Sequence, residues 1–82
     1  MLKMVDVSQY NIITNHVLLK QNASAVLIKS GQGTVDDPTF RDKLTKEQAV
    51  GQRTGPWHFY HADIPAQLQI DTFLKIWNSL AV

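Results

Sequence analysis

The sequence contains no cysteine, which excludes both a disulfide framework and a zinc site built from thiolates. It also has no excess of charge of one sign, since 8 lysines and arginines balance 7 aspartates and glutamates. A formal net charge of +1, with the basic residues scattered along the chain, does not supply the basic patch that nucleic-acid binding requires. We therefore expect no nucleic-acid partner.

Long apolar runs are missing as well. No stretch approaches the roughly 20 apolar residues of a membrane span, and residues 1–4 lack the apolar core of a signal peptide. We therefore expect no membrane association, and synthesis in the cytoplasm without a signal peptide. The 82 residues allow one domain at most (1–82), and a hydrophobic content of 44% is typical of a globular chain.

A βαβ unit is predicted at the centre of the chain. Residues 25–30 begin with four apolar side chains without polar alternation, which is typical of a strand covered on both faces. Asp37 and Pro38 combine an N-cap with a first-turn proline, so they predict the start of a helix, and Gly51 predicts its end. A second parallel strand is expected at residues 57–60.

A further strand is predicted before this unit, at residues 4–8. With a period of two, Asp6 lies on the opposite face from Val5 and Val7. A carboxylate inside an apolar strand is costly to bury unless it is paired or functional. An aspartate at a frayed strand end is the structural alternative, and the pattern alone does not decide between the two.

Two further helices are predicted. The first runs from residue 14 or 15 to 21, with Val17 and Leu18 towards the sheet and Asn22 ending it in the left-handed conformation. The second follows Asp63 and a proline, which repeat the cap-and-proline start. Apolar residues recur along it at spacings of three and four, and we expect them to pack in the core: Ala66, Ile70, Phe73, Leu74 and Trp77.

Two features resemble ligand motifs but lack the necessary partners. Gly31 and Gly33 follow a strand, yet the lysine and hydroxyl residue of a phosphate-binding loop are absent, as is the third glycine of a dinucleotide fingerprint. His58 and His61 point to opposite faces of a strand, so they are not expected to bind one metal ion. We expect neither a metal nor a cofactor.

Four short motifs occur in one order and carry a resemblance to a known family. They are Asp6-Val-Ser-Gln-Tyr10, Val26-Leu-Ile-Lys-Ser-Gly-Gln-Gly-Thr34, Asp37-Pro-x-Phe40 and Gly55-Pro-Trp-His-Phe59. Together they resemble the N-terminal part of the family 25 glycoside hydrolases, the Chalaropsis-type lysozymes that many phages use as endolysins. The later segment 69–74 is similar to a helix of that family, so the resemblance extends from residue 5 to about residue 77.

The resemblance implies an α/β fold of three successive βα units, an incomplete TIM-like (β/α) barrel, since a full barrel has eight strands. It also implies peptidoglycan as the partner, cleaved between N-acetylmuramic acid and N-acetylglucosamine by a parent protein that acts on the bacterial cell wall after release. Asp6 matches a catalytic aspartate on the family's first strand. The family's general acid belongs to an Asp-x-Glu motif on a fourth strand, and this sequence contains no Asp-x-Glu.

Four residues are candidate substrate-binding residues by the same resemblance. Lys29 would offer a cation near Asp6, although a solvated lysine at a strand end is an equally good interpretation. Trp57 stands where the family usually has tyrosine, and either sugar contact or packing would suit it. His58 matches a recurrent family histidine, with a packed core histidine as the alternative. Tyr60 could line a glycan groove.

Two classes of function follow. Because Asp6 is only one of the two carboxyl groups that glycosidic hydrolysis needs, we expect a muramidase fragment, from a truncated or degraded prophage gene, that is inactive alone. The alternative is a non-catalytic, oligomeric interaction module or glycan-binding module derived from such a barrel. Three parallel strands leave two open edges, so we expect a homo-oligomer in either case.

Overall fold

The computed structural model describes residues 3–80, which contain four strands and three helices. In chain order these are β1 (Met4–Val7), α1 (His16–Asn22), β2 (Ala25–Gln32), β3 (Val35–Asp36), α2 (Phe40–Ala49), β4 (Thr54–Phe59) and α3 (Ala66–Ser79). The predicted alternation of strand and helix is confirmed, with the short β3 as an addition. In this part of the chain, no helix combines the length and apolar character needed to cross a membrane.

The strand β2 lies at the centre of the sheet. On one side it pairs in parallel with β1, with Val26 opposite Val5, and on the other it pairs in parallel with β4, with Val26 opposite Thr54. The end of β2 also pairs with β3 in the antiparallel direction, with Gly31 opposite Asp36. β2 therefore lies between the other two parallel strands, and the short β3 makes the sheet mixed rather than entirely parallel.

Of the two glycines near this hairpin, Gly31 lies within β2 and Gly33 lies in the turn into β3. Gly33 has a φ of 54°, a conformation that glycine adopts without steric cost. A Cβ atom on Gly31 would lie 2.7 Å from the carbonyl oxygen of Val35. The backbone of this hairpin therefore accounts for both glycines.

The hydrophobic core lies between one face of the sheet and the helices. Val26 and Ile28 of β2 have no exposed surface, and they belong to one cluster with Phe40 and Leu44 of α2 and Ile76 of α3. Burial of these side chains removes apolar area from water, which is the main favourable contribution to folding. The core thereby fixes the two longer helices against β2.

The helix α1 presents a different side from the one predicted. Val17 and Leu18 are more than half exposed, whereas Leu19 packs against the core. His16 contacts Glu47 of α2 through its ring Nδ1. Because His16 and Leu19 are three residues apart, they share the buried side of the helix, and the prediction for Val17 and Leu18 is wrong.

The helix α1 starts at a side-chain cap and ends in an extended residue. The Oδ1 of Asn15 accepts a hydrogen bond from the Leu18 backbone N–H at 2.9 Å, which caps the start. At the other end Ala23 takes an extended conformation, with a φ of −125°. No non-glycine residue among residues 3–80 has a positive φ, so the left-handed conformation expected for Asn22 is wrong.

The helix α2 begins at Phe40, two residues later than predicted, but Asp37 still organises its start. The Oδ1 of Asp37 accepts hydrogen bonds from the backbone N–H and the hydroxyl of Thr39, each at 2.8 Å. Its Oδ2 accepts from the backbone N–H of Gln9 at 2.9 Å, which ties the β1–α1 loop to α2. Gly51 follows the helix with a φ of 76°, so the predicted C-terminal glycine is confirmed.

The helix α3 contributes fewer side chains to the core than predicted. Ile76 is 4% exposed, whereas Ile70, Leu74 and Trp77 are 49%, 43% and 53% exposed. The prediction that the apolar stripe packs in the core is therefore wrong for these three residues and for Ala66, which is also exposed. The described sheet ends at β4, so the apolar area of α3 exceeds what the sheet covers.

The start of α3 is held by Gln69 instead of Asp63. The Nε2 of Gln69 donates to the carbonyl oxygens of His61 and Ile64 at 2.8 and 2.9 Å, and its Oε1 accepts from the His61 N–H at 2.9 Å. Pro65 occupies the N-cap position, and no side chain caps the helix there. The Asp63 cap was a wrong prediction, because a residue inside the helix satisfies the preceding loop.

Candidate functional site

The carboxyl ends of β1, β2 and β4 lie at one edge of the sheet, because the three strands are parallel. Asp6 lies one residue before the end of β1, opposite Leu27 of β2. Val5 and Val7 pack with the core, so alternation places Asp6 on the face away from the helices, where it is exposed. No described residue forms a salt bridge with its carboxylate.

Lys29 lies near the carboxyl end of β2 and is only 3% exposed. Its ammonium group donates a hydrogen bond to Oε1 of Gln32. It also lies 5.7 Å from the ring centre of Tyr10 and 6.0 Å from that of Phe59. Aromatic faces attract cations at such distances. Lys29 is therefore a buried and oriented cation, which excludes the solvated-lysine alternative.

Trp57 stands opposite Lys29 in the pairing of β4 with β2, so the two share the open face of the sheet. Its indole Nε1 is shielded from solvent and has no hydrogen-bond partner within residues 3–80. Phe59 follows two residues later and contacts the Lys29 ammonium. Phe59 therefore lies beside the cation, and Trp57 lies on the same face of the sheet.

His58 lies on the helix side of β4. Its ring meets Phe73 of α3 edge to face, with the ring centres 6.3 Å apart. Both of its ring nitrogens are buried without a hydrogen-bond partner in the described part of the chain. A bulge between Lys29 and Gly31 places His58 opposite Gly31. The structure therefore does not bring His58 together with Asp6.

Tyr60 follows the end of β4 and also lies next to α3. It borders a shallow depression of about 340 Å³ together with His58, Ile70, Phe73 and Leu74. The surface of this depression is almost entirely apolar. Tyr60 therefore belongs to the exposed side of α3.

The predicted site residues thus divide into two groups. Asp6, Lys29 and Trp57 lie on the open face near the strand ends, and with the rings beside Lys29 they form what we call the open-face site. His58 and Tyr60 lie beside α3. Contact between these two residues and a substrate remains a prediction.

Sequence reasoning missed Tyr10 and Phe59, the two rings beside Lys29. Phe59 could have been found, because strand alternation places it on the same face as Trp57. Tyr10 lies in an irregular loop, where no periodicity indicates the direction of a side chain.

The open-face site offers one carboxylate, one buried cation and several aromatic rings. A few fixed polar groups among rings are what orients a polar ligand in a binding site. The site has no second carboxylate from Asp37, which caps α2, or from Glu47, which is fully buried against His16. No cluster of three potential metal ligands occurs among the described residues.

Comparison with protein families decides the ancestry of this arrangement. The model of "Glycosyl hydrolases family 25" matches residues 5–81, nearly the whole chain. The chain belongs to glycoside hydrolase family 25. The resemblance inferred from the four short motifs is thereby confirmed. A search of curated proteins found no match.

Several solved structures share the fold of this family 25 chain. A family 25 glycosyl hydrolase from Bacillus anthracis is 30% identical with a TM-score of 0.80, and the match covers 92% of this chain and 36% of that one. A muramidase from Trichobolus zukalii is 28% identical with a TM-score of 0.82, covering 92% and 38%. The CTP1L endolysin is 26% identical with a TM-score of 0.77, covering 92% and 29%.

The family 25 chain therefore spans between 29% and 38% of the length of these three relatives. Its α/β fold, with a small mixed sheet and three helices, is similar to part of each of them. Its relation to a closed TIM-like barrel stays a prediction.

Proposed function

We propose that this chain supplies the Asp6 side of a muramidase active site that cleaves bacterial peptidoglycan. Membership of family 25 and the likeness to a muramidase and an endolysin support this function. The observation that carries it is the open-face site, where the exposed carboxylate of Asp6 lies on the same sheet face as the enclosed ammonium of Lys29. Catalytic groups of parallel α/β folds gather at this edge of the sheet.

Each group of the open-face site has a distinct role in this proposal. Asp6 is the carboxylate that stabilises or attacks the sugar carbon during cleavage. Lys29 is held in place before the ligand arrives, so little side-chain entropy is lost on binding. Trp57 and Phe59 offer flat apolar surfaces for the sugar rings.

Hydrolysis by this chain alone is not part of the proposal. Cleavage of a glycosidic bond needs two carboxyl groups, one that donates a proton and one, such as Asp6, that stabilises or attacks the sugar carbon. Loss of the acid catalyst commonly costs a factor of about 10²–10⁴ in rate. The sequence contains no Asp-x-Glu motif, and its single glutamate is buried on the other side of the molecule. A protein made in the cytoplasm would reach the wall only after release.

A non-catalytic module is the second candidate function. The exposed apolar side chains of α3, together with the outer edge of β4, favour a role in association. In this candidate, the open-face site binds glycan without cleaving it.

Cosedimentation with purified peptidoglycan tests the proposal. The unmodified chain should bind, and Lys29→Met should bind at least about tenfold more weakly, because a charge-assisted hydrogen bond is lost while the aliphatic volume is kept. Lys75→Met, at an exposed lysine of α3, is the matched control and should change binding less than about twofold. No binding by the unmodified chain, or equal binding by Lys29→Met, would contradict the assignment.

A further inference from the structure

A cleft of about 200 Å³ separates the β1–α1 loop from the first turns of α2. It lies outside the open-face site, between two elements of the helical layer. Its wall combines charged, amide and apolar side chains, among them Asn11, Ile12, His16, Thr39, Lys43 and Lys46.

Lys43 is the unusual group in this cleft, because its side chain is charged and the residue is only 8% exposed. Its Nζ donates one hydrogen bond, to the Thr39 hydroxyl at 2.8 Å. An ammonium group has three donors, and a buried charge is costly unless it is paired. No salt bridge within residues 3–80 involves Lys43. The cleft therefore contains an ammonium group that lacks an anionic partner from the described chain.

The nearby carboxylates already have partners. Asp42 pairs with Lys46 at 3.0 Å on the exposed side of α2. Glu47 contacts the ring of His16. Asp37 is linked to Lys43 only through the Thr39 hydroxyl, which donates to its Oδ1 at 2.8 Å. A direct anionic partner for Lys43 would therefore come from outside the described chain.

The remaining wall indicates what kind of anion fits. The Oδ1 of Asn11 accepts from the Ser8 backbone N–H at 2.9 Å, so its amide NH₂ remains as a donor. Ile12 adds an apolar surface beside these polar groups. Asp42 and Lys46 at the rim neutralise each other, so Lys43 leaves one positive charge for a ligand, which suits a singly charged anion better than phosphate. A singly charged carboxylate on a small aliphatic residue matches this combination.

We propose that this cleft binds the terminal carboxylate of a short aliphatic peptide, of the class found on bacterial wall polymers. The identification of the bacterial wall as the source of this peptide rests on the proposed function. The loop that carries Tyr10, which contacts Lys29, also carries Asn11 of the cleft. One loop thus borders both sites, so a glycan in the open-face site can place its attached peptide in the cleft.

An NMR titration of the unmodified chain tests the proposal, with N-acetyl-D-alanyl-D-alanine as the probe. The free acid should shift the amide signals of Asn11, Ile12 and Thr39 in a saturable way, and the C-terminal amide of the same peptide should bind at least about tenfold more weakly. Equal binding of acid and amide, or shifts confined to another region, overturns the proposal. Acetate that binds as tightly as the peptide overturns the peptide as the occupant.

Variants locate the binding group. Lys43→Met should weaken binding of the free acid at least about tenfold, whereas Lys20→Met, at an exposed lysine of α1, should leave it within about twofold. Unchanged binding by a folded Lys43→Met overturns the assignment, and if that variant does not fold, the comparison of acid with amide decides. Peptide binding without peptidoglycan cosedimentation would contradict the proposed function, but the cleft would still be a binding site for a peptide carboxylate.

Discussion

At the residue scale, burial of the Lys29 ammonium costs free energy that its contacts must offset. Removing such an ion from water costs several kcal/mol, and a cation–π contact returns about 0.5–2 kcal/mol. An aliphatic residue of similar volume is often as stable or more stable at such a position. The Lys29→Met variant used for peptidoglycan binding should therefore be at least as stable as the unmodified chain. Weaker peptidoglycan binding without a loss of stability would therefore assign Lys29 a role in binding rather than in the fold.

Asp37 has the opposite role, because its three hydrogen bonds serve the fold. Asp37→Ala should lower the free energy of unfolding by about 2 kcal/mol, since the start of α2 and the β1–α1 loop lose their acceptor. Urea denaturation measures the change. Asp36→Ala is the control. Asp36 is exposed, and its ion pair with the exposed Lys75 ammonium, at 3.8 Å, contributes little, so the substitution should cost under about 0.5 kcal/mol. Equal effects would show that Asp37 does not hold the two segments together.

At the element scale, α3 contains a matched pair of isoleucines in different environments. Ile76 is in the core and Ile70 is about half exposed. Ile76→Ala should cost about 2–5 kcal/mol because it leaves a cavity, and Ile70→Ala should cost under about 1 kcal/mol at a protein concentration low enough for the chain to be monomeric. Both values come from the shift in the urea midpoint. A larger loss at Ile70 would mean that the exposed side of α3 is covered in solution.

The elements were predictable where local patterns determine them. The apolar run of β2, the Asp37 turn and Gly51 each specify a backbone conformation from neighbouring residues, and all three were found. The rotation of α1 was not predictable, because it depends on the contact of His16 with Glu47, 31 residues away along the chain. Helical spacing places Lys43 and Glu47 on the same side of α2 as Phe40 and Leu44, and that side is buried. The sequence did not indicate this, because a helix side with two charged residues does not have the apolar pattern of a core-facing side.

The same limit applies to the candidate site. Asp6, Lys29 and Trp57 were named together from the family resemblance, and strand alternation with parallel pairing explains why they share one face. Tyr10 could not, since a loop has no repeat that orients its side chains. Alternation from Trp57 also places His58 on the helix side of β4. The bulge in β2 that sets His58 opposite Gly31 has no signal in the sequence.

At the scale of the whole molecule, the outer side of β4 and the exposed side of α3 form one uncovered surface. Among the described strands β4 pairs only with β2, and apolar side chains of α3 remain exposed beside it. An unpaired strand edge is a template for another chain, and a symmetric dimer is the commonest way to close one. We propose that a second copy of this chain covers the surface.

Light scattering at micromolar concentration should accordingly give the mass of a dimer or a higher oligomer. Leu74→Arg should shift the mass towards the monomer, because it places a charge in the depression beside Tyr60. Leu68→Arg, at a similarly exposed leucine on another side of α3, should not. A compact monomer for the unmodified chain would show that the open edge needs no partner.

In the proposed function the chain contributes one carboxylate of a muramidase site, and another polypeptide segment supplies the proton donor. Release of reducing sugar ends from purified peptidoglycan by the 82-residue chain measures this directly. We expect no release above background, and therefore no difference between the unmodified chain and Asp6→Asn. Release that disappears in Asp6→Asn would contradict it, because the chain would then contain a complete pair of catalytic groups.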